Sequence, residues 1–534
     1  MQTSGIQTLK YWGLPILGGC LYALGNVGWA LWPLAFVCMI PLWKCLDTVA
    51  RPSIRSAFIR GLIFGMTIYL IGFSWLFSLS EQFIDSTATS IMLWLAIGGW
   101  FALGYGIYAA TYRWLIDRNC PHWACSTLPL ILLECYQINL FPTFLGTGLV
   151  HQYHLAQLAS FGGPLILSAL VLFINWQIYR IITRPSSTDL ATPVSKICVV
   201  LIASFLFSQL QSPFQERPNE NSEIKVGLVQ NNVVKTSQLP KDRYSHKLNL
   251  ALSRELLEQE NLDLLIWPES SYNRALRRPL PLDAQMIRED IKTPLLFGGT
   301  SSFHYQGRAA STNSIFLADT QGKIEQVYDK QLLLPFGEHI PGLNMLELIL
   351  NMGLIDWLPA LRDDYLTLVT QLFPWHQSFK AGPNHEVLSF QDINIATPIC
   401  FELAHPDYVR QLIHKGQANL LVSIANDAWF GRSQEPAIHL SLARLRAIEH
   451  GLWLVRATNS GYSAIIDPNG NIVVQTDLFE QAVLSETVSA KAATTLYTRY
   501  GNWVAWLAGV MLIIIGLKRV YILLLQHLSL LTNR

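Results

Sequence analysis

Charge is what this sequence has least of. Asp, Glu, Lys and Arg make up 14% of its 534 residues, against 51% hydrophobic ones, where a soluble domain carries about 25% charged residues. That shortfall excludes a wholly soluble chain and puts part of it in lipid. No sign of charge dominates either: 38 basic and 37 acidic residues leave a net charge of +1, and without a basic patch nucleic acid is not an expected partner. Cysteine is nearly missing from the later three-fifths. Cys400 is the only one between Ser208 and the C-terminus, while Cys20, Cys38, Cys45, Cys120, Cys125, Cys135 and Cys198 all lie earlier. A lone thiol has no disulfide partner nearby and no second thiolate for a metal, so no metal and no cofactor is expected. Internal repeats and low-complexity tracts are absent as well, which excludes a solenoid.

What is abundant is apolar sequence. Stretches long enough to span a bilayer lie near 11–26, 28–46, 56–79, 89–116, 124–141, 163–182 and 194–211, with a last one at 503–525. A membrane domain over 1–211 with about seven transmembrane helices follows, then a polar domain over 222–490, then a C-terminal transmembrane helix. Lys10 without a small-residue cleavage site makes the first span a retained anchor. Several of the 17 tryptophans (Trp12, Trp29, Trp32, Trp43, Trp114, Trp123) sit near the ends of apolar runs, as at a membrane interface. Lys44, Arg51, Arg55 and Arg60 follow the second span, Arg113 and Arg118 the fourth, and Arg180, Arg184 and Lys196 the sixth. Lys518, Arg519 and Arg534 accompany the end of the last span, while 81–89 and 139–164 hold neither Lys nor Arg. Every second connection is therefore basic, which predicts both termini in the cytoplasm and the polar domain outside it. Glu134 is an ionisable group at membrane depth, either facing a polar cavity or hydrogen-bonded between helices.

The polar domain reads as mixed α/β. Strand-like runs lie at 224–230, 262–267, 295–298, 314–317, 393–399, 420–424 and 452–457. Helical faces alternate with them: Tyr244, Leu248, Leu252 and Leu256 on one, and Val409, Leu412 and Ile413 on another. Asp319-Thr320-Gln321-Gly322 and Asp467-Pro468-Asn469-Gly470 are hairpin turns. Sheets covered by helices are the implied architecture.

Three reactive side chains follow strand-like runs. Glu269 ends Leu264-Leu265-Ile266-Trp267-Pro268-Glu269, Lys330 follows 324–329, and Cys400 follows Ile395-Ala396-Thr397-Pro398-Ile399. A cysteine at a sharp strand-to-helix turn presents its sulfur as a nucleophile must. A carboxylate beside it can take the thiol proton, and an ammonium can hold a developing oxyanion. Taken singly, each has a plainer reading: a helix-capping Glu, a surface Lys, a buried inert Cys.

Trp267-Pro268-Glu269-Ser270, Tyr328-Asp329-Lys330 with Leu334-Pro335-Phe336-Gly337-Glu338, and Pro398-Ile399-Cys400-Phe401-Glu402 resemble the three catalytic motifs of the nitrilase superfamily. Within it, the chain resembles the apolipoprotein N-acyltransferase family. Asn426-Asp427-Ala428-Trp429-Phe430-Gly431, the segment His439 to Ala464, and Tyr497-Thr498-Arg499-Tyr500-Gly501 are similar to that family too, as are Phe141-Pro142, Leu155-Ala156-Gln157-Leu158 and Gly162-Gly163. The resemblance implies an αββα sandwich outside the cytoplasm beside a multi-span membrane domain. It implies Glu269 as general base, Lys330 as oxyanion-stabilising cation and Cys400 as nucleophile, with Glu338, Glu402, Phe401, Asn426 and Trp429 in supporting or substrate-binding roles. Phe401 stands where the family often has Tyr, Leu239 near where it has Trp, and Asn502 where Asp is common.

The implied reaction is ping-pong acyl transfer at the bacterial inner membrane. A phospholipid would donate an acyl chain to Cys400, and a diacylated apolipoprotein would accept it on its N-terminal amine, in a monomeric, multi-pass protein. Residues 343–372, apolar around Trp357, would be an arm that dips into the interface or a helical pair covering the core. A membrane-anchored amidase using water as acceptor is the rival enzyme, and a transporter or lipoprotein chaperone with a degenerate domain is the rival outside catalysis.

Overall fold

The computed structural model describes residues 2–48, 52–81, 86–183, 190–215, 223–233, 241–305, 308–335, 337–339, 363–364, 367–368, 371, 379–383, 387–492 and 495–532. Leu239, Phe336 and nearly all of 343–372 lie outside those residues. The chain divides into two units, one of residues 1–77, 91–216 and 495–534, the other of 78–90 and 217–494.

In the first unit five helices are long and apolar enough to cross a membrane: Ile54–Gly72, Thr87–Asp117, Ala159–Thr183, Ala191–Leu210 and Trp503–Ile522. The chain's first helix, Gln2–Gly25, is apolar over its shorter part Trp12–Gly25. The 28–46 stretch is not one helix. It breaks into a 3-10 turn, Trp32–Phe36, and a helix, Ile40–Thr48. Pro33 and Pro41 stand in the first turns of these segments, where a missing N–H removes no helical bond. Asn175 secures the break, accepting from the Met39 N–H at 3.0 Å and donating to the Ala35 carbonyl at 2.7 Å. The 124–141 stretch is helical over His122–Tyr136, and there the Glu134 carboxylate accepts the Leu145 N–H at 2.8 Å. That bond fits the interhelical reading of Glu134, because it ties the helix to the turn Leu145–His151.

Some residues that the sequence placed at boundaries are inside this unit. Trp43 is fully buried and donates Nε1–H to the Tyr108 hydroxyl at 2.7 Å. Arg60 is buried with Nη1 on the Cys45 carbonyl at 2.7 Å, and buried Arg113 pairs with Asp117. Gly163 has φ +66°, and a Cβ there would lie 2.3 Å from the ring of buried Tyr497. Both the left-handed backbone and the close approach require glycine, which joins two of the sequence motifs in space.

The second unit is two stacked sheets. The first holds β1 (Glu223–Gln230), β2 (Leu264–Ile266), β3 (Tyr272–Arg277), β4 (Leu282–Asp283), β5 (Leu295–Tyr305), β6 (Arg308–Ala318) and β7 (Lys323–Asp329). The second holds β8 (Leu388–Phe390), β9 (Ile393–Ala396), β10 (Leu420–Ala425), β11 (Leu454–Thr458), β12 (Ala464–Ile466) and β13 (Ile472–Gln475). A last strand, β14 (Ala482–Ser489), returns to the first sheet antiparallel to β1. Pairing is parallel through β1, β2 and β5 and through β9, β10 and β11. The two predicted Asp-to-Gly turns close the hairpins β6–β7 and β12–β13. β5 and β6 run well past their apolar cores, register-paired out to Tyr305 and Arg308. Their outer halves are polar, so hydrophobicity alone stops short of them.

Side chains alternate across β1 as strand geometry demands. Ile224, Val226 and Leu228 join Ile395, Val422 and Val455 in the core between the sheets, while Val229 faces the outer layer with Leu265, Trp267 and Leu250. Helix Pro406–Gly416 covers the second sheet with Val409, Leu412 and Ile413 and stops at left-handed Gln417. Helix Lys241–Gln259 covers the first, giving the layers of an αββα sandwich. Its buried stripe departs from the expected Tyr244–Leu248–Leu252–Leu256 face except at Leu256, and the Tyr244 side chain lies outside the described residues. Ser245, Asn249, Leu250, Ser253 and Leu256 are buried, and Leu248 and Leu252 are only half-buried. The small polar residues face inward because buried polar atoms there need partners. Ser253 Oγ accepts the Trp267 indole N–H at 2.8 Å, and Asn249 donates to the Ser271 carbonyl at 3.3 Å.

Ser253→Ala therefore strands a buried indole N–H two residues before Glu269. It is expected to lower unfolding stability by about 1–3 kcal/mol, read as a fall in Tm of the detergent-solubilised protein.

Candidate active site

Glu269 follows β2, Lys330 follows β7 and Cys400 follows β9, so three strand ends supply the three side chains. Gly298 on β5 makes room for the first of them: a Cβ there would lie 2.8 Å from the Glu269 Cα. Ser270, immediately after it, has φ +56°, and Cys400 has φ +48°. Non-glycine residues in that region cost about 1–3 kcal/mol each and persist where surrounding contacts impose them.

Lys330 is no surface lysine. It is 1% exposed, with Nζ 2.9 Å from Glu338 and 3.7 Å from Glu269 Oε1. Asn313 donates its side-chain amide to both carboxylates, at 2.7 Å to Glu269 and 2.8 Å to Glu338. Burial works against the lysine's charge, but Glu338 and then Glu269 outweigh it and raise its pKa. Burial pushes Glu269 up, Lys330 opposes, and Glu338 adds to the rise. Cys400 is partly exposed. Its apolar surroundings, then the Glu269 charge, push its thiol well up against the pull of Lys330. The resting sulfur is therefore a thiol, and turning it into a nucleophile needs a base. Glu269 is the carboxylate whose charge it feels most.

Glu402 has a different task. Its carboxylate accepts from the Gln331 and Leu332 N–H groups at 2.6 and 3.0 Å, from Ile399 N–H at 2.8 Å and from the Tyr328 hydroxyl at 2.7 Å. It thereby staples the segment after Lys330 to the one before Cys400. Phe401 packs edge-on against His405, 4.6 Å between ring centres. Asn426 accepts from Asn459 Nδ2 at 3.0 Å and from the Ala428 N–H at 3.3 Å, which shapes the turn after β10, and Trp429 is half-buried in that turn. Asp427, Glu435 and His439 bring possible ligand atoms within 4.8 Å of one another, but Arg456 already supplies a cation, donating to Asp427 at 2.8 Å. Arg456 and then His439 outweigh burial and hold the Asp427 carboxyl at about 2.

A sequence model of the carbon-nitrogen hydrolase family matches residues 225–497, just over half of the chain and every residue of this site. The chain belongs to the carbon-nitrogen hydrolase family. Residues 18–177 match a second model, the apolipoprotein N-acyltransferase N-terminal domain. Among curated relatives, an apolipoprotein N-acyltransferase of Azotobacter vinelandii is 29% identical over 94% of this chain and 93% of its own length. One of Geobacter metallireducens is 28% identical over 92% of each. Of solved structures, Saccharomyces cerevisiae Nit3, a nitrilase-superfamily member, covers 52% of this chain and 95% of its own, at 15% identity and TM-score 0.38.

In this carbon-nitrogen hydrolase the sequence reading left out Asn313, which bridges two acidic residues from the middle of β6 and belongs to no recognisable motif. Its one signal is the polar run Ser311-Thr312-Asn313-Ser314 inside a strand. Asp329 is a second such residue. It accepts two bonds from Arg278 at 2.5 and 2.6 Å and others from Thr312 and Ser314, fixing the backbone beside Lys330.

Lys330→Met removes the cation between two buried carboxylates. Stability should fall by about 3–5 kcal/mol near neutral pH. Glu269, whose folded pKa burial raises, weakens the fold as it ionises, so the deficit against the parent protein should shrink as pH falls. Thermal melts of both proteins across acidic and neutral pH check this.

Proposed function

We propose that this chain is an apolipoprotein N-acyltransferase working through a Cys400 thioacyl-enzyme. The observation that carries the reading is Cys400 in a left-handed turn, in electrostatic reach of the buried Glu269–Lys330–Glu338 cluster. The relatives that cover nearly all of the chain carry that activity in their names. The five long apolar helices and the matching N-terminal domain support a membrane protein whose acceptor is a lipoprotein.

In the first half-reaction Glu269 takes the thiol proton and the sulfur attacks the carbonyl carbon of a phospholipid ester. The resulting oxyanion faces the Lys330 ammonium and the backbone N–H after Cys400. The C–O bond breaks, the lysophospholipid oxygen takes the proton from Glu269, and a thioester remains. In the second half the α-amine of a diacylglyceryl-cysteine attacks that thioester. The C–S bond breaks, an amide forms, and the amine's proton passes through Glu269 back to sulfur. Glu338 and Asn313 hold Lys330 and Glu269 in place throughout. The alternation of basic connections supports cytoplasmic termini and a catalytic domain on the periplasmic face of the inner membrane.

Intact mass spectrometry of the detergent-purified protein mixed with phospholipid should show one fatty-acyl adduct. Cys400→Ser should lack it, and a diacylated lipopeptide should discharge it. Discharge by water at the same rate without lipopeptide would favour the amidase reading instead.

The pH dependence of adduct formation is a second test. Acylation needs Glu269 ionised, and burial raises its pKa, so the rate should fall on acidification at a pH above the ordinary glutamate range. Glu269→Gln should abolish that acid limb along with most of the rate.

A further inference from the structure

His439 is a buried side chain that touches the nucleophile's own backbone. It lies on the helix Glu435–His450, 4% exposed, with Nε2 3.1 Å from the Cys400 carbonyl oxygen and Nδ1 3.2 Å from Asp427 Oδ1. Both partners are acceptors only: a carbonyl has no proton to give, and Asp427 is held ionised by Arg456. A neutral ring carries one N–H. Either tautomer would leave a lone pair facing an acceptor, at 3.2 Å on one side or 3.1 Å on the other. Only a ring protonated on both nitrogens satisfies the two contacts.

We propose that His439 is held as an imidazolium and acts as a positioning residue for Cys400, clamping its carbonyl so that the left-handed nucleophile turn is kept and a positive charge stands behind the thiol. The charged groups facing the ring are Asp427 from the turn after β10, Arg456 from β11 and Glu435 one helical turn back, with Glu435 Oε1 3.6 Å from Nδ1. Burial, and Arg456 after it, push the ring toward neutrality, and Asp427 opposes them. Glu435 is a poor candidate for the missing proton's source at Nδ1. At 3.6 Å it is too far for a good hydrogen bond, and burial together with the Asp427 charge pushes it well up, toward the neutral acid. Hydrogen-bond complementarity on both ring nitrogens therefore decides the state. Asp427 and Arg456 offset one another at 2.8 Å, and the imidazolium is the cation of this cluster that meets the Cys400 carbonyl.

This deepens the thioacyl reading, because it concerns the same nucleophile, but thiol alkylation tests it without any acyl substrate. Iodoacetamide modification of the full-length, detergent-purified protein, followed against pH by mass spectrometry of the peptide that carries Cys400, reads the ionisation of that sulfur apart from exposed Cys198 and the other thiols. Removing a nearby cation should raise the midpoint by about one pH unit. His439→Gln should therefore shift it upward and slow modification near neutral pH by about tenfold, with His439→Asn in its place should the first variant not fold. His439→Lys, which keeps a cationic donor, should recover much of the shift, and Glu435→Gln should leave the midpoint where it is. Equal midpoints in His439→Gln and the parent protein overturn the proposal, as does His439→Lys shifted as far as His439→Gln. Loss of acyl transfer with an unchanged alkylation profile would also overturn it, leaving the thioacyl reading untouched.

Discussion

A buried lysine between two carboxylates is the constraint on which the catalytic unit depends. Taking an ammonium out of water costs several kcal/mol unless opposite charge and hydrogen bonds replace the solvent. Lys330 meets that cost with Glu338 and Glu269, and Asn313 keeps both carboxylates turned toward it. The backbone at this point is equally fixed: Lys330 N–H donates to the Asn313 carbonyl and its own carbonyl accepts from Gly382, both at 2.8 Å. Removing any member leaves another unmatched, so the cluster is all-or-none in energetic terms. That coupling also makes it useful. A cation fixed before substrate arrives needs no reorganisation when an oxyanion develops beside it.

The strained turns are held by the same network. Cys400 and Ser270 adopt left-handed backbones that isolated chains avoid. Around Cys400, Glu402 gathers three backbone N–H groups and a tyrosine hydroxyl, and His439 meets the carbonyl on the other side. Around Ser270, Trp267 is pinned to Ser253, and Ser271 donates to the Gly298 carbonyl at 2.9 Å. Each reactive residue thus sits between two anchored neighbours. Glu269, Lys330 and Cys400 are placed by contacts well outside their own side chains.

Much of this was legible in the sequence, and the failures share a cause. Glu269, Lys330 and Cys400 stand out because each ends a continuous apolar run, and buried strands write themselves plainly as such runs. Polar residues that point inward leave no such mark. Asn313 lies mid-strand, Ser253 and Asn249 take the buried stripe of a helix whose leucines suggested another face, and β5 and β6 outlast their apolar cores. In the membrane unit the same blindness put Trp43 and Arg60 at boundaries when both are interior. The broken 28–46 stretch differs, since Pro33 and Pro41 were there to be read. Hydropathy averaged over a window is insensitive to where a proline falls.

The choice between an amine and water as acceptor is the last physical question the geometry addresses. A thioester beside a competent base would hydrolyse if water reached both. Here Glu269 and Lys330 are 8% and 1% exposed, while Cys400 is partly exposed. A general base shielded to that degree activates only what is delivered to it in place. A lipid-anchored amine is kept at the membrane surface by its own acyl chains, whose burial in lipid is worth about 0.8 kcal/mol per methylene, whereas a water molecule has nothing comparable to hold it. Selectivity for transfer then follows from burial and tethering together, without any residue that must recognise and reject water.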